Sequence, residues 1–176
     1  GGGVGIHMVQ MARLCGGRVL AADIGDAKLA LARQWGADVA IDARHGDLAQ
    51  QVKAATDGKG ADAVIDIVGN RQTLEAGIKS LAILGRMVLI GAKPKSVYKD
   101  DPSFMLDPGE FMHRGLELHS SRYVTAAEIA QTLELVRQKR ITPVITPTFP
   151  LEKVEEAHEL IRKNATAGRL ALVLDD

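Results

Sequence analysis

Short, unbroken apolar runs alternate with stretches of helical periodicity along most of the chain, and this alternation restricts the fold more than any other feature. Ala63-Val64-Ile65 and Met87-Val88-Leu89-Ile90 contain no polar residue, the pattern of strands covered on both faces in a parallel sheet. The predicted order is a helix over Val4–Leu14, a strand over Arg18–Asp23, a helix over Ala27–Trp35 and a strand over Ala37–Asp42. A helix over Asp47–Ala55, a strand over Ala61–Val68, a helix over Thr73–Leu84 and a strand over Arg86–Ala92 continue the series. Glycines at the ends of these runs, such as Gly16-Gly17 and Gly36, stop the helices. The fold class is therefore α/β, with a doubly wound parallel sheet.

The alternation lapses at Lys93–Gly109, where Pro94, Pro102 and Pro108 interrupt any period, so a long loop near a ligand is expected. A strand is predicted over Arg114–His119. Thr125 and Glu128 then form a capping box that opens a helix running to about Lys139. Pro143, Pro147 and Pro150 exclude regular helix and disfavour a central strand. An amphipathic helix over Leu151–Arg162 and a strand over Arg169–Leu174 follow.

The most informative chemistry lies at Gly1-Gly2-Gly3-Val4-Gly5, immediately before the first helix. Bare backbone lets a phosphate approach, and the first helical N–H groups and peptide dipoles attract its charge. With Gly2 and Gly5 as the second and third glycines of G-x-G-x-x-G, the first glycine falls one residue before Gly1. Asp23, at the end of the next strand, is spaced to accept the adenosine ribose hydroxyls, which favours NAD over NADP.

Composition narrows the alternatives. Twenty-two basic and 22 acidic residues cancel, and only 3 % of residues are aromatic, so neither the charge nor the stacking surface of a nucleic-acid binder is present. Every apolar run stops well short of the ~18 residues of a membrane span, and no cationic leader precedes one. A cytoplasmic location is expected. Cys15, the one cysteine, excludes an internal disulfide and is expected to be a small buried hydrophobe. His7, His45, His113, His119 and His158 show no metal-ligand spacing, so no metal site is expected. His7 is expected to face solvent rather than the phosphate, and His119 to be a plain strand residue. Glu152, Lys153, Glu155 and Glu156 form a solvated helix face.

Gly2-Gly3-Val4-Gly5-Ile6-His7, Ala22-Asp23-Ile24, Asp66-Ile67-Val68-Gly69, Ile90-Gly91-Ala92 and Phe149-Pro150-Leu151-Glu152-Lys153 together resemble the medium-chain dehydrogenases, in the zinc-type alcohol and polyol branch. The resemblance implies a Rossmann cofactor-binding portion over residues 1–140, lacking its first strand, and a segment over 141–176 that completes a catalytic domain. It implies that Gly2, Gly3, Val4, Gly5 and Ile6 cradle the pyrophosphate of NAD. Asp23, Ile24 and Lys28 would hold the adenosine ribose, and Val68 and Gly69 would border the adenine side. Ile90, Gly91 and Ala92 would lie along the nicotinamide, with Ser121 and Arg122 at its carboxamide and Arg169 near the phosphates. No catalytic residue is expected in this chain, and zinc is expected only in an N-terminal domain. The implied reaction is hydride transfer between an alcohol or carbonyl compound and nicotinamide, in a homodimer or tetramer paired through the strand near Arg114–His119.

Two other readings share the nucleotide half: a non-catalytic NAD-sensing regulatory domain and a zinc-independent quinone reductase. A methyltransferase is weaker, since it leaves Leu89-Ile90-Gly91-Ala92 and the matching tail unexplained. In the expected strand order the first strand lies between its neighbours, and without it they stand roughly 9.5 Å apart. The isolated chain is therefore expected to fold poorly, bind NAD weakly and lack dehydrogenase activity.

Overall fold

The computed structural model describes residues 2–91 and 103–174. They form two compact units, one of Gly1–Arg44 with Val124–Asp176 and one of His45–Tyr123. Among the described residues every strand pairing is parallel.

The first unit opens with helix α1 (Gly5–Leu14), strand β1 (Leu20–Asp23), helix α2 (Asp26–Gln34) and strand β2 (Val39–Asp42). Both helices stop as the glycines predict: Gly16 and Gly36 adopt positive φ, and the N–H groups of Gly17 and Ala37 return to the carbonyls of Ala12 and Ala32 at 2.9 Å. β1 pairs with β2 from Leu20↔Val39 to Asp23↔Asp42. Val9, Val19, Ala32 and Ala37 form a buried core of small side chains beneath them.

The second unit contains α3 (Leu48–Ala54), β3 (Ala61–Asp66), α4 (Arg71–Ser80), β4 (Leu81–Leu89), α5 (Pro108–His113) and β5 (Glu117–Ser120). Its strands lie in the order β3-β4-β5. Asp47, Asn70 and Asp107 cap the three helices, each side chain accepting backbone N–H groups of the first turn. Leu74, Ile78, Leu81, Met87 and Leu116 form the core, with Phe104 and Phe111 packed against it.

The chain then returns to the first unit with α6 (Ala126–Arg137), β6 (Ile145–Pro150), a 3-10 turn at Leu151–Lys153, α7 (Val154–Arg162) and β7 (Arg169–Val173). The capping box at Thr125 and Glu128 is present with both reciprocal bonds. β6 pairs with β7.

Three expectations need correction. The helix predicted over Thr73–Leu84 ends at Ser80, because Leu81 turns extended and pairs with Ala61 instead of continuing the helix. The run Leu81-Ala82-Ile83-Leu84 suits either period, and strand pairing decides it. Part of the loop expected over Lys93–Gly109 lies outside the described residues, but its end begins α5, with Asp107 as cap and Pro108 in the first turn. Cys15 is exposed rather than buried, since it occupies the C-cap of α1 where the chain leaves the helix. β6 was also unforeseen among its prolines. Its pairing shifts register between Ile145 and Thr148, around the missing N–H of Pro147.

Met87 is fully buried, whereas Ile83, on the same strand, is 74 % exposed. In the full-length protein, Met87→Ala is expected to cost about 2–5 kcal/mol and Ile83→Ala no more than about 0.5, measured by urea denaturation.

Candidate functional site

In the first unit the glycine turn runs directly into α1, which is anchored by the fully buried Ile6. Val4 is the N-cap residue. It offers no side-chain oxygen, and the first turn contains no acidic residue. Every other described α-helix has a side-chain cap or a first-turn carboxylate. The start of α1 thus keeps its positive end uncompensated, a setting suited to an anion.

The turn is walled by the beginning of β7. Gly2 forms an isolated bridge with Gly168, and a Cβ on Gly3 would stand 3.0 Å from Arg169 Cγ. A Cβ on Gly2 would meet nothing within 4 Å. The stem of Arg169 therefore lies against the turn. His7, expected to face solvent, is instead bonded at both ring nitrogens: Nδ1 lies 2.7 Å from Gly3 O, and Val144 N donates to Nε2 at 3.1 Å.

At the end of β1, Asp23 Oδ1 accepts the N–H groups of Ile24 and Gly25 at 2.8 and 3.1 Å, which fixes the carboxylate over its own loop. A Cβ on Gly25 would touch Lys28 Cδ at 3.3 Å and Asp23 Oδ1 at 3.7 Å, so the carboxylate and the lysine stem flank one α-carbon. Lys28 is buried, and its Nζ donates to Asn164 Oδ1 at 2.7 Å. Sequence reasoning missed Asn164, which sits 136 residues away in the turn after α7. Ile24 is exposed.

The second unit gathers a separate set. Asp66, buried at the end of β3, accepts the N–H groups of Val68 at 2.9 Å and Gly69 at 2.6 Å. Its carbonyl accepts those of Ile90 and Gly91. Gly91 is obligatory here, because a Cβ would fall 2.2 Å from the carbonyl carbon of Ile67. Ser121 N donates to Leu89 O at 3.0 Å, which brings the end of β5 beside the end of β4. Val68, Gly69, Ile90, Gly91 and Ser121 are thus drawn together, while Ala92 lies outside the described residues. Arg122 is exposed and stacks over the Tyr123 ring at 4.9 Å. In the sequence Asp66 stands only as one member of a motif, whereas in the structure it organises the loop after β3. Its signal was an acidic residue ending an apolar strand before glycine.

Outside these clusters, His119 and Glu117 pair at 2.8 Å on the exposed face of β5. The hydrogen bond from His119, with the nearby charge of Arg86, holds the Glu117 carboxyl below the usual carboxylate range. A cavity of about 460 Å³ bordered by Glu75, Lys79, Met105 and Phe111 includes none of the expected site residues. Among the described residues no three His, Cys, Asp or Glu side chains are grouped to hold a metal ion. No described helix is long and apolar enough to cross a membrane.

Residues 3–138 match the family described as zinc-binding dehydrogenase. The chain is 31 % identical to the L-threonine 3-dehydrogenase of Symbiobacterium thermophilum and 29 % identical to an alcohol dehydrogenase of Geobacillus stearothermophilus, in each case over 99 % of this chain and 49 % of the relative. It therefore spans about half the length of these curated relatives. The crystal structure of an alcohol dehydrogenase from Aeropyrum pernix superimposes with a TM-score of 0.84 at 25 % identity, over 96 % of this chain and 46 % of that one.

Asp66→Leu strips the acceptor from two backbone N–H groups, at about 1–3 kcal/mol each. Asp66→Asn keeps one oxygen and is expected to lose clearly less, which urea denaturation of the two full-length variants will compare.

Proposed function

The chain belongs to the zinc-binding dehydrogenase family, and on that footing we propose that it is the cofactor-binding portion of an NAD-dependent oxidoreductase. The reaction is hydride transfer between a small alcohol or carbonyl substrate and nicotinamide. The observation that carries this reading is the uncapped start of α1 behind the bare backbone of Gly2 and Gly3, in the same unit as a carboxylate fixed at the end of β1.

These residues suit the two halves of such a ligand. Gly2 to Ile6 and Arg169 offer bare backbone, a helix dipole and a cation to the diphosphate. Asp23 offers an acceptor to the adenosine ribose hydroxyls, and Lys28 a donor, beside the exposed Ile24. We assign Val68 and Gly69 to the adenine side, and Ile90, Gly91, Ala92, Ser121 and Arg122 to the nicotinamide half. NAD, when bound, supplies the hydride acceptor. The protein's part is to fix its orientation and the protonation of the contacts around it. We assign the catalytic groups, and the zinc that polarises the alcohol oxygen, to the part of the relatives that this chain does not span. The outer edge of β5, with all four residues exposed, suits pairing with a second copy. Leu118→Lys in the full-length protein should then yield a smaller species by light scattering.

Asp23 also accounts for cofactor choice. A 2′-phosphate would bring about two negative charges beside it, each repelled by ~4 kcal/mol at 4 Å with an effective dielectric of 20, before screening. In the full-length protein, replacing Asp23 by Ser and Ile24 by Arg is expected to lower the NAD-to-NADP ratio of kcat/KM at least about tenfold. The check is the absorbance of reduced nicotinamide with an alcohol series. An unchanged ratio overturns the assignment of Asp23, and an inability of the wild type to bind either dinucleotide overturns the function itself.

A further inference from the structure

His7 lies one residue beyond the buried Ile6, on the first turn of α1, and its ring is committed on both sides. A backbone N–H only donates, so the N–H of Val144 requires a lone pair on Nε2. A carbonyl only accepts, so Gly3 O requires a proton on Nδ1. Both partners therefore demand the same neutral tautomer, with the proton on Nδ1.

The carbonyl that His7 takes is one the helix leaves aside. Ile6 N donates to Gly2 O, while the N–H groups of His7 and Met8 both donate to Val4 O, so the helical ladder passes over Gly3 O. A carbonyl oxygen free to face the glycine turn would repel an anionic ligand approaching it. The imidazole engages that oxygen instead.

The same ring closes a circuit of contacts. Val144, held at its N–H by His7, accepts Arg169 N at its own carbonyl at 2.8 Å. Arg169 in turn packs its stem against Gly3. One helical turn further on, the buried Gln10 exchanges two hydrogen bonds of 2.9 Å with the backbone of Thr142, as a neighbouring strand would. The face of α1 that carries His7 and Gln10 thus grips residues 142–144 and sets Arg169 in register with the glycine turn.

We propose that His7 is a positioning residue for the cofactor diphosphate: its Nδ1–H withdraws the Gly3 carbonyl from the ligand, and its Nε2 aligns Arg169 with the turn through Val144. The role rests on the dinucleotide reading above. It does not involve His7 touching the ligand.

The test uses the full-length protein, with ADP-ribose as the diphosphate probe and adenosine as the probe without phosphate, both measured by calorimetry. His7→Phe is expected to weaken ADP-ribose about tenfold while leaving adenosine within about twofold. His7→Asn, whose amide nitrogen can stand near the place of Nδ1, should recover most of the loss. Nitrogen-15 NMR of the wild type should show the Nδ1-protonated tautomer. A parallel loss for both probes, or for neither, overturns the role, as does an Nε2-protonated ring or an Asn variant no better than Phe. Should His7→Phe not fold, the Asn variant and the tautomer decide between these outcomes. Wild-type protein that fails to bind ADP-ribose overturns the dinucleotide reading and this role with it, whereas wild type that binds while His7→Phe binds equally well overturns the role alone.

Discussion

A turn built largely of glycine has little of its own to hold it in shape. Without Cβ atoms Gly2 leaves open space beside its backbone and Gly3 admits the stem of Arg169, but neither glycine has a side chain with which to hold the turn. The order they need comes from elsewhere in the first unit. Gly168 and Arg169 lie along one side, the imidazole of His7 takes the odd carbonyl, and Ile6 pins the helix that follows. Freezing a residue's backbone costs about 1–2 kcal/mol, so a glycine turn left to itself would meet its ligand as an ensemble. Contacts made before the ligand arrives remove that cost from binding.

The second unit solves a similar problem with a carboxylate. Asp66 occupies the end of β3 and gathers two N–H groups of the loop beyond it, while its carbonyl gathers two more from the end of β4. Two strand ends are thereby tied through one residue, so closely that Gly91 admits no side chain. Asp23 repeats the device at the end of β1, with two N–H groups of its own loop on one oxygen. In both cases the acid lies where a parallel strand runs out of ladder partners and its backbone groups need a substitute.

This difference between local and distant support explains what the sequence disclosed. Glycines ahead of a helix, apolar strands and the Thr125–Glu128 box are patterns confined to a few neighbours, and the structure contains each of them. α5 spans six residues, too few for a period to show, and its start at Asp107 and Pro108 falls within a stretch that reads as loop. The beginning of β4 was misread because Leu81-Ala82-Ile83-Leu84 is apolar at every position, and only pairing with Ala61 decides its conformation. The links from His7 to Val144 and from Lys28 to Asn164 cross 137 and 136 residues of sequence. No periodicity encodes such a link; it exists only once residues 124–176 have folded back onto the first strands.

The Lys28 link has a further physical consequence for the proposed site. A buried ammonium needs a partner, and the usual one is a carboxylate, which would cancel its charge. Here the partner is the amide oxygen of Asn164, a neutral dipole that orients the ammonium and leaves its charge standing. Two of its three protons remain to be given elsewhere. Asp23 meanwhile presents a charge whose Oδ1 is already aligned by two N–H groups. A pair of sugar hydroxyls can both donate and accept, so it is matched by a fixed acceptor and a fixed donor flanking the same α-carbon at Gly25. A phosphate in that place would gain from Lys28 and lose to Asp23. The lysine is tethered to Asn164 and lies among buried residues, while Asp23 stands at the start of a loop whose next residue, Ile24, is exposed.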